Sequence, residues 1–233
     1  SYMVDGVKME DPLYRETNNN FNKDAINQMV IISGTFNAEY GDAMSGVVNI
    51  TTQDGGTNFK GRVEYTTPTL ERSKYRKANA FPGVQDLYQY KETSVLDEAW
   101  IGIPGQLRAS LSGPILSDLT FFLSGYSLNK DSYLPHGYNT SIDGFGKLTY
   151  FASPTLKFGL SNQFTNTKQQ GYSHPWKYRS DHQTHTTTKS NRQILNATHT
   201  VNQNLFYTVN LSRFENNALT QVGNKRPEEY TIG

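Results

Sequence analysis

Seven segments of this 233-residue chain alternate apolar and polar residues with a period of two. Such alternation is typical of a β-strand whose two faces meet different environments. In the clearest segment, Leu107, Ala109 and Leu111 alternate with Arg108 and Ser110. The predicted strands lie near residues 59–67, 106–115, 119–128, 144–151, 155–165, 191–201 and 205–215.

Three of these segments are less regular than the others. Phe122 and Tyr126 interrupt the polar face of the third, the fourth is mixed, and Ile194 is followed directly by Leu195 in the sixth. A period of two over about ten residues is nevertheless the repeat expected of strands that cross a membrane. The pattern therefore predicts a mainly β protein with an antiparallel transmembrane sheet.

The connections between the predicted strands alternate between short and long. Tight turns are predicted at 116–118, 152–154 and 202–204, where Ser, Asp, Pro and Asn are frequent. The connections near 68–105, 129–143 and 166–190 are long and polar. Outer-membrane barrels have this arrangement, with short turns on the periplasmic side and long loops outside.

Aromatic residues fall near both ends of the predicted strands. The outer set is Tyr65, Tyr126, Phe164 and Phe214, and the inner set is Phe121, Tyr150, Phe151, Phe206 and Tyr207. Two interfacial girdles of this kind are typical of membrane barrels. The alternative is that aromatic residues are simply favoured in strands.

Composition excludes several classes of protein. The net charge of +1 offers no electrostatic basis for binding nucleic acid, and the absence of cysteine excludes disulfides and thiolate metal sites. The mean hydropathy is −0.65, and no apolar run approaches the roughly 18 residues of a membrane-spanning helix. No signal peptide opens the chain, so we expect a truncated or processed piece of an exported protein.

The first quarter of the chain carries an ordered set of motifs. Residues 38–61 read AEYGDAMSGVVNITTQDGGTNFKG, residues 2–7 read YMVDGV, and residues 26–36 read INQMVIISGTF. In this order the motifs resemble the plug domain and first barrel strand of TonB-dependent outer-membrane receptors. The residues that match the family's plug pattern, and to which the resemblance gives a structural role, are Asp5, Gly6, Glu39, Tyr40, Gly41, Gly46 and Asn49.

The resemblance implies the C-terminal part of a small α+β plug domain over residues 1–57, followed by the N-terminal part of a barrel over 58–233. A barrel wide enough to hold a plug needs about 22 strands. About seven strands therefore predict an incomplete, unclosed antiparallel sheet, with the plug piece against its concave side.

The resemblance also implies a function. Receptors of this family import a scarce ligand such as a siderophore, cobalamin, a glycan or a peptide, and TonB with ExbB and ExbD remodels the plug by using the proton-motive force. No catalysis or cofactor is implied, and no enzyme motif such as G-x-S-x-G or H-E-x-x-H is present. One alternative is a non-transporting outer-membrane barrel, an adhesin or structural protein, and another is a secreted sugar-binding β-sandwich.

Two predicted loops carry candidate binding residues. In the loop near 166–190, His174, Asp181, His182 and His185 are candidate metal ligands, although a merely polar outer loop is the more ordinary interpretation. The candidate ligand contacts in both long loops are Arg72, Tyr88, Tyr90, Trp100, Trp176 and Tyr178. His136 and His199 are predicted to be structural.

Overall fold

The computed structural model describes residues 2–9, 22–32, 46–66, 105–131, 137–176 and 182–222, together with residues 225 and 229. These residues form two separate β-sheets, one of four strands and one of seven. Among the described residues, no helix has the length and apolar character needed to cross a membrane.

The small sheet contains β1 (Tyr2–Val4), β2 (Val7–Lys8), β3 (Ile26–Ile32) and β4 (Val47–Thr52), in the order β2-β1-β4-β3. The β1–β2 hairpin turns at Asp5 and Gly6, whose φ angles of 47° and 79° are both positive. Asp-Gly is a preferred pair for a two-residue hairpin turn, because both residues tolerate this conformation. A 3-10 turn at Lys23–Ala25 precedes β3, and Asn22 caps it by accepting a hydrogen bond from the Asp24 N–H at 3.0 Å.

The large sheet is an antiparallel meander in which each strand pairs with its neighbours in sequence. Its strands are β5 (Lys60–Thr66), β6 (Gly105–Pro114), β7 (Leu119–Asp131), β8 (Tyr138–Ser153), β9 (Leu156–Gln170), β10 (Thr184–Asn202) and β11 (Leu205–Val222). Within the described residues β5 and β11 do not pair, so the sheet is not closed. The predictions of seven antiparallel strands and of an unclosed sheet are confirmed.

Several strands extend farther than the sequence predicts. β8 begins at Tyr138 rather than near residue 144, β10 begins at Thr184 rather than near 191, and β11 ends at Val222 rather than near 215. The extensions are polar and lie at the long-connection end, where hydroxyl pairs such as Thr186 with Thr220 (2.9 Å) join neighbouring strands. Hydrophobic alternation could not predict them, because they do not have one apolar face.

The two faces of the large sheet differ as the alternation predicts. On the outer face, apolar side chains such as Leu123, Leu160 and Leu211 are exposed. On the inner face, Ser124, Lys147 and Gln163 are buried, and the small sheet packs against this face. The irregular positions Phe122 and Ile194 are inner-face residues that meet apolar groups of the small sheet.

The predicted aromatic girdles are wrong for four of their nine residues. Phe151 and Phe206 have the register of the inner face, opposite Lys157 and Thr200, although both rings are exposed at the short-turn end of their strands. Tyr126 and Phe214 lie on the inner face, where Arg108 stacks over the first ring at 4.7 Å and Arg192 over the second at 4.5 Å. Five others follow the outer-face alternation and are at least partly exposed: Tyr65, Phe121, Tyr150, Phe164 and Tyr207. A period of two assigns a residue to a face only when the register of its strand is known.

Candidate functional site: the interface between the two sheets

A buried lysine of the large sheet holds the small sheet at its β1–β2 turn. Lys147, on β8, donates to the Thr52 hydroxyl at 2.8 Å and to the Asp5 carboxylate at 3.3 Å. Asp5 in turn accepts hydrogen bonds from the Thr52 N–H at 2.9 Å and from the Thr52 hydroxyl at 2.5 Å. We call Asp5, Thr52, Asp54, Lys147 and Lys157 the Lys147 cluster.

Asp54 connects this cluster to a second lysine. Its carboxylate lies 2.9 Å from the Lys147 ammonium and 2.5 Å from the Lys157 ammonium, and it accepts a hydrogen bond from Thr149 at 3.1 Å. Burial by itself would raise the pKa of Asp54, but hydrogen bonds and charges from Lys157 and Lys147 outweigh it and hold the pKa below its ordinary value of 3.8. Asp54 is therefore a carboxylate at neutral pH.

The Lys147 cluster is deeply buried, and its burial determines how it contributes to stability. The side chains of Lys147 and Asp5 are only 5% and 6% exposed. Charges taken this far out of water are stable only when each keeps its partner, and removing one partner of such a pair costs about 3–5 kcal/mol. The cluster therefore specifies how the small sheet docks, without adding a large net stability.

A second contact joins the 3-10 turn of the small sheet to β6, β7 and β8. Asp24 lies 3.4 Å from the Arg108 guanidinium, in a partly buried ion pair. Next to it, Ala25 is fully buried against Phe122 and Phe145, whose ring centroids are 6.1 Å apart. The turn is therefore anchored by one charge pair and one small apolar contact.

A third contact lies against β10. Val4, Met9 and Ile50 form an apolar cluster with Ile194. The Arg192 guanidinium, also buried, lies against the sulfur of Met9.

Polar contacts dominate the interior that results. Among the described residues, fifteen polar or charged side chains are buried, compared with eight apolar ones. Ion pairs join the two sheets. The acidic partners, in the small sheet and its connections, are Asp5, Asp24 and Asp54, and the basic partners, on the large sheet, are Lys147, Lys157 and Arg108. The two sheets are thus held together by a few complementary charges rather than by an extended apolar core.

The residues predicted from the plug motif fall in two groups. Asp5 and Gly6 form the hairpin turn, and a Cβ at Gly6 would lie 3.0 Å from the Asn210 side chain of β11. Asn49 lies within β4, where it pairs with Met3 and Val30, and Gly46 immediately precedes that strand. The remaining motif residues, Glu39, Tyr40 and Gly41, lie outside the described residues.

The candidate ligands in the loop near 166–190 divide between a loop and a strand. Trp176 stacks on His182 with ring centroids 5.3 Å apart, and the Tyr172 hydroxyl lies 3.0 Å from Nδ1 of His174. His185 lies instead within β10, buried. In the part of the chain that the structure describes, no group of three or more His, Cys, Asp or Glu side chains could hold a metal ion.

Seven further residues singled out from the sequence lie outside the described residues: Arg72, Tyr88, Tyr90, Trp100, His136, Tyr178 and Asp181. The structure instead shows a role for Lys147, Arg108 and Arg192, which sequence reasoning did not select. Each stands on the polar face of its strand, and nothing in the local sequence distinguishes it from a solvated charge.

Comparison with known proteins gives a consistent result. The chain is 27% identical over 128 residues to the TonB-dependent transporter Oar of Myxococcus xanthus, a match that covers 54% of this chain and 11% of that protein. The siderophore receptor PirA of Pseudomonas aeruginosa superposes with a TM-score of 0.61 at 19% identity, over 94% of this chain and 33% of that one. FpvA of P. aeruginosa bound to heterologous pyoverdines superposes with a TM-score of 0.54 at 12% identity, over 91% and 27%.

No family model matches the chain. The chain spans about a tenth of the length of the curated transporter and about a third of that of the siderophore receptor. The proteins that it resembles are transporters and receptors rather than enzymes. The chain is similar in sequence to a TonB-dependent transporter, and its unclosed seven-stranded sheet has the fold of part of a TonB-dependent receptor barrel.

Proposed function

We propose that this chain is a segment of an outer-membrane receptor that imports a scarce ligand by TonB-dependent remodelling of a plug. Residues 1–57 would be the C-terminal part of the plug, and residues 58–233 the first part of the barrel. The sequence similarity to a TonB-dependent transporter and the fold shared with siderophore receptors support the proposal.

The observation that carries the proposal is the difference between the two faces of the large sheet. Leu160 and Leu195 are exposed on the outer face, whereas their neighbours Ser161 and Ile194 are buried on the inner face. Exposed leucines suit hydrocarbon, and a polar inner face suits an aqueous lumen. A barrel lumen closed by a plug requires a folded piece on its polar inner face, and the small sheet occupies that position.

The contacts between the two sheets could also be separated by an external pulling force. Of the strands in the small sheet, β1 would be the first to receive a load transmitted from chain upstream of residue 2, and it pairs with β4 over only three residues. The load would then reach Asp5 and its link to Lys147. Charge pairs and hydrogen bonds are short-ranged and can be taken up by water once separated, so a few such contacts can be broken one after another. TonB with ExbB and ExbD would supply the work.

The structural neighbours bear on the class of ligand. One structural neighbour is described as a siderophore receptor and another as FpvA bound to heterologous pyoverdines. At 19% and 12% identity these similarities show the fold alone. We therefore propose a scarce ligand of the siderophore, cobalamin, glycan or peptide class. The loop residues named above remain candidate contacts, and the stack of Trp176 on His182 offers a flat surface for a ring-bearing cargo.

Uptake with and without TonB tests the function. The full-length gene is expressed in a bacterium that lacks its own receptor for each labelled candidate ligand, in paired strains with and without TonB. We expect the protein in the outer-membrane fraction, with altered gel migration when unboiled, and uptake of one ligand only when TonB is present. Outer-membrane location with ligand binding but no TonB-dependent uptake would favour a non-transporting barrel, and recovery in the soluble fraction would overturn both.

A further inference from the structure

Three glycines form a strip on the outer face of the large sheet. Gly125 of β7 lies directly opposite Gly144 of β8, and Gly146 lies opposite Leu123. A Cβ placed on Gly125 would meet no atom within 4 Å, whereas one placed on Gly144 would collide with the ring of Phe164. The glycine strip is therefore open over Gly125, whereas the Phe164 ring covers Gly144 and the Leu123 side chain lies against Gly146.

Apolar side chains turn this strip into a groove of ≈ 520 Å³. Its side walls include Leu107, Leu123, Ile142 and Phe164. On a face that meets hydrocarbon, a depression of this size is filled by lipid, because empty space forfeits dispersion contacts and water finds few polar partners there. An acyl chain has the shape and the chemistry that fit it.

A polar pocket of ≈ 280 Å³ continues the groove toward the long-connection end of the strands. Ser127 and Ile142 line both spaces, so the two are contiguous. The lining of the pocket includes Lys168 and Lys189 but no carboxylate. It is therefore a basic site immediately next to an apolar one.

The strand register brings the two lysines together. Lys168 of β9 lies opposite Thr187 of β10, and Lys189 lies two positions farther along β10, opposite Asn166. Diagonal neighbours of this kind are about 7–8 Å apart. The Lys168 ammonium lies over the Tyr138 ring, 5.9 Å from its centroid, and reaches an anion shared with Lys189 when the Lys168 side chain turns away from that ring. Thr187 adds a hydroxyl to the same pocket, whereas the Thr140 hydroxyl already donates to the Lys168 carbonyl at 3.4 Å.

We propose that this composite site binds one phosphorylated, acylated lipid of the surrounding leaflet, with an acyl chain in the glycine groove and a phosphate between Lys168 and Lys189. The inference rests on the proposed membrane location of the receptor. It adds a lipid ligand on the outer face, separate from the cargo and from the plug interface.

Selective retention of lipid tests the site. The full-length receptor is purified from outer membranes in detergent, mixed with lipid A or with its dephosphorylated form, and analysed by native mass spectrometry. We expect the phosphorylated form to be retained preferentially. Because a basic residue near an anionic lipid surface contributes about 1 kcal/mol, Lys168→Gln with Lys189→Gln is expected to weaken retention about thirty-fold, and either change alone about five-fold.

Two further variants separate the two halves of the site. Gly125→Leu is expected to abolish retention of both lipid forms, since its side chain enters the open groove without a backbone clash. Lys130→Gln is the control, because Lys130 is an exposed lysine that follows Asn129 and so points to the opposite face of β7. It should leave retention unchanged.

Three results would overturn the inference. They are equal retention of the two lipid forms by the unaltered receptor, unchanged retention in the double lysine variant, and displacement of the lipid by millimolar inorganic phosphate alone. If the receptor is absent from the outer membrane, the proposed function fails as well. A receptor that resides there but selects no lipid overturns the lipid site alone.

Discussion

Replacing Lys147 with methionine should loosen the small sheet from the large one. The substitution retains a long apolar stem but leaves the buried Asp5 carboxylate without its cation. Loss of one partner of a buried pair costs about 3–5 kcal/mol. We expect the lower end, about 3 kcal/mol, because Asp5 keeps two hydrogen bonds from Thr52 and Asp54 keeps Lys157.

Hydrogen exchange measures this change directly. A loss of about 3 kcal/mol raises the population of the opened small sheet by roughly a hundred-fold, since each 1.4 kcal/mol is a factor of ten. In the purified full-length receptor, peptides covering residues 2–9 and 46–54 should therefore exchange faster in Lys147→Met. Peptides from β9 and β10 should be unaffected.

Two comparisons make the result interpretable. Lys130→Met removes an exposed lysine from the neighbouring strand β7 and should not change exchange of the small sheet. Asp5→Asn combined with Lys147→Met removes both charges and should recover much of the loss, because no buried charge is then left alone. Equal exchange in Lys147→Met and Lys130→Met would refute the assignment of Lys147 as an anchor.

Three more predictions concern the same interface. Because the pKa of Asp54 in the folded protein lies below 3.8, its ion pair with Lys157 should be intact above that pH and lost as the pH falls through the lowered pKa. Hydrogen exchange of residues 46–54, measured as a function of pH, should show this loss in the native receptor but not in Asp54→Asn. Ile194→Ala should destabilise docking of the small sheet by about 2–4 kcal/mol and Leu195→Ala by under about 1 kcal/mol, and similar losses of protection would contradict the assigned faces. Gly6→Ala should cost about 1–2 kcal/mol, because a residue with a Cβ is strained at a φ of +79°; an unchanged melting temperature would argue against this turn.

The strands of the large sheet could be predicted because their central residues alternate between two environments. Leu160 and Ser161 differ in polarity, so the sequence assigns them to opposite faces, and the structure confirms this. The same logic gives no answer for Ile194 and Leu195, since both are apolar. Only contact with Val4 and Ile50 of the small sheet distinguishes them, and that contact depends on the register of the whole sheet.

The contacts between the two sheets could not be predicted from the sequence, because they join residues that are far apart in the chain. Lys147 binds Thr52 and Asp5, which lie 95 and 142 positions away in the chain. No local pattern encodes a pairing over such a separation. The motif residue Asp5 was predicted to hold the shape of the plug, and its contact with Lys147 adds a docking role.

Lipid contact at paired positions tests the central claim most directly. The chain contains no cysteine, so single cysteines can be placed at Leu160, Ser161, Ile194 and Leu195 of the full-length receptor, with any cysteine elsewhere replaced. Spin labels at these positions report oxygen accessibility in a bilayer. Labels at Leu160 and Leu195 should be reached by lipid-dissolved oxygen, and those at Ser161 and Ile194 should be shielded from it. Equal accessibility at all four positions would contradict a sheet with one face toward lipid and the other toward a plug.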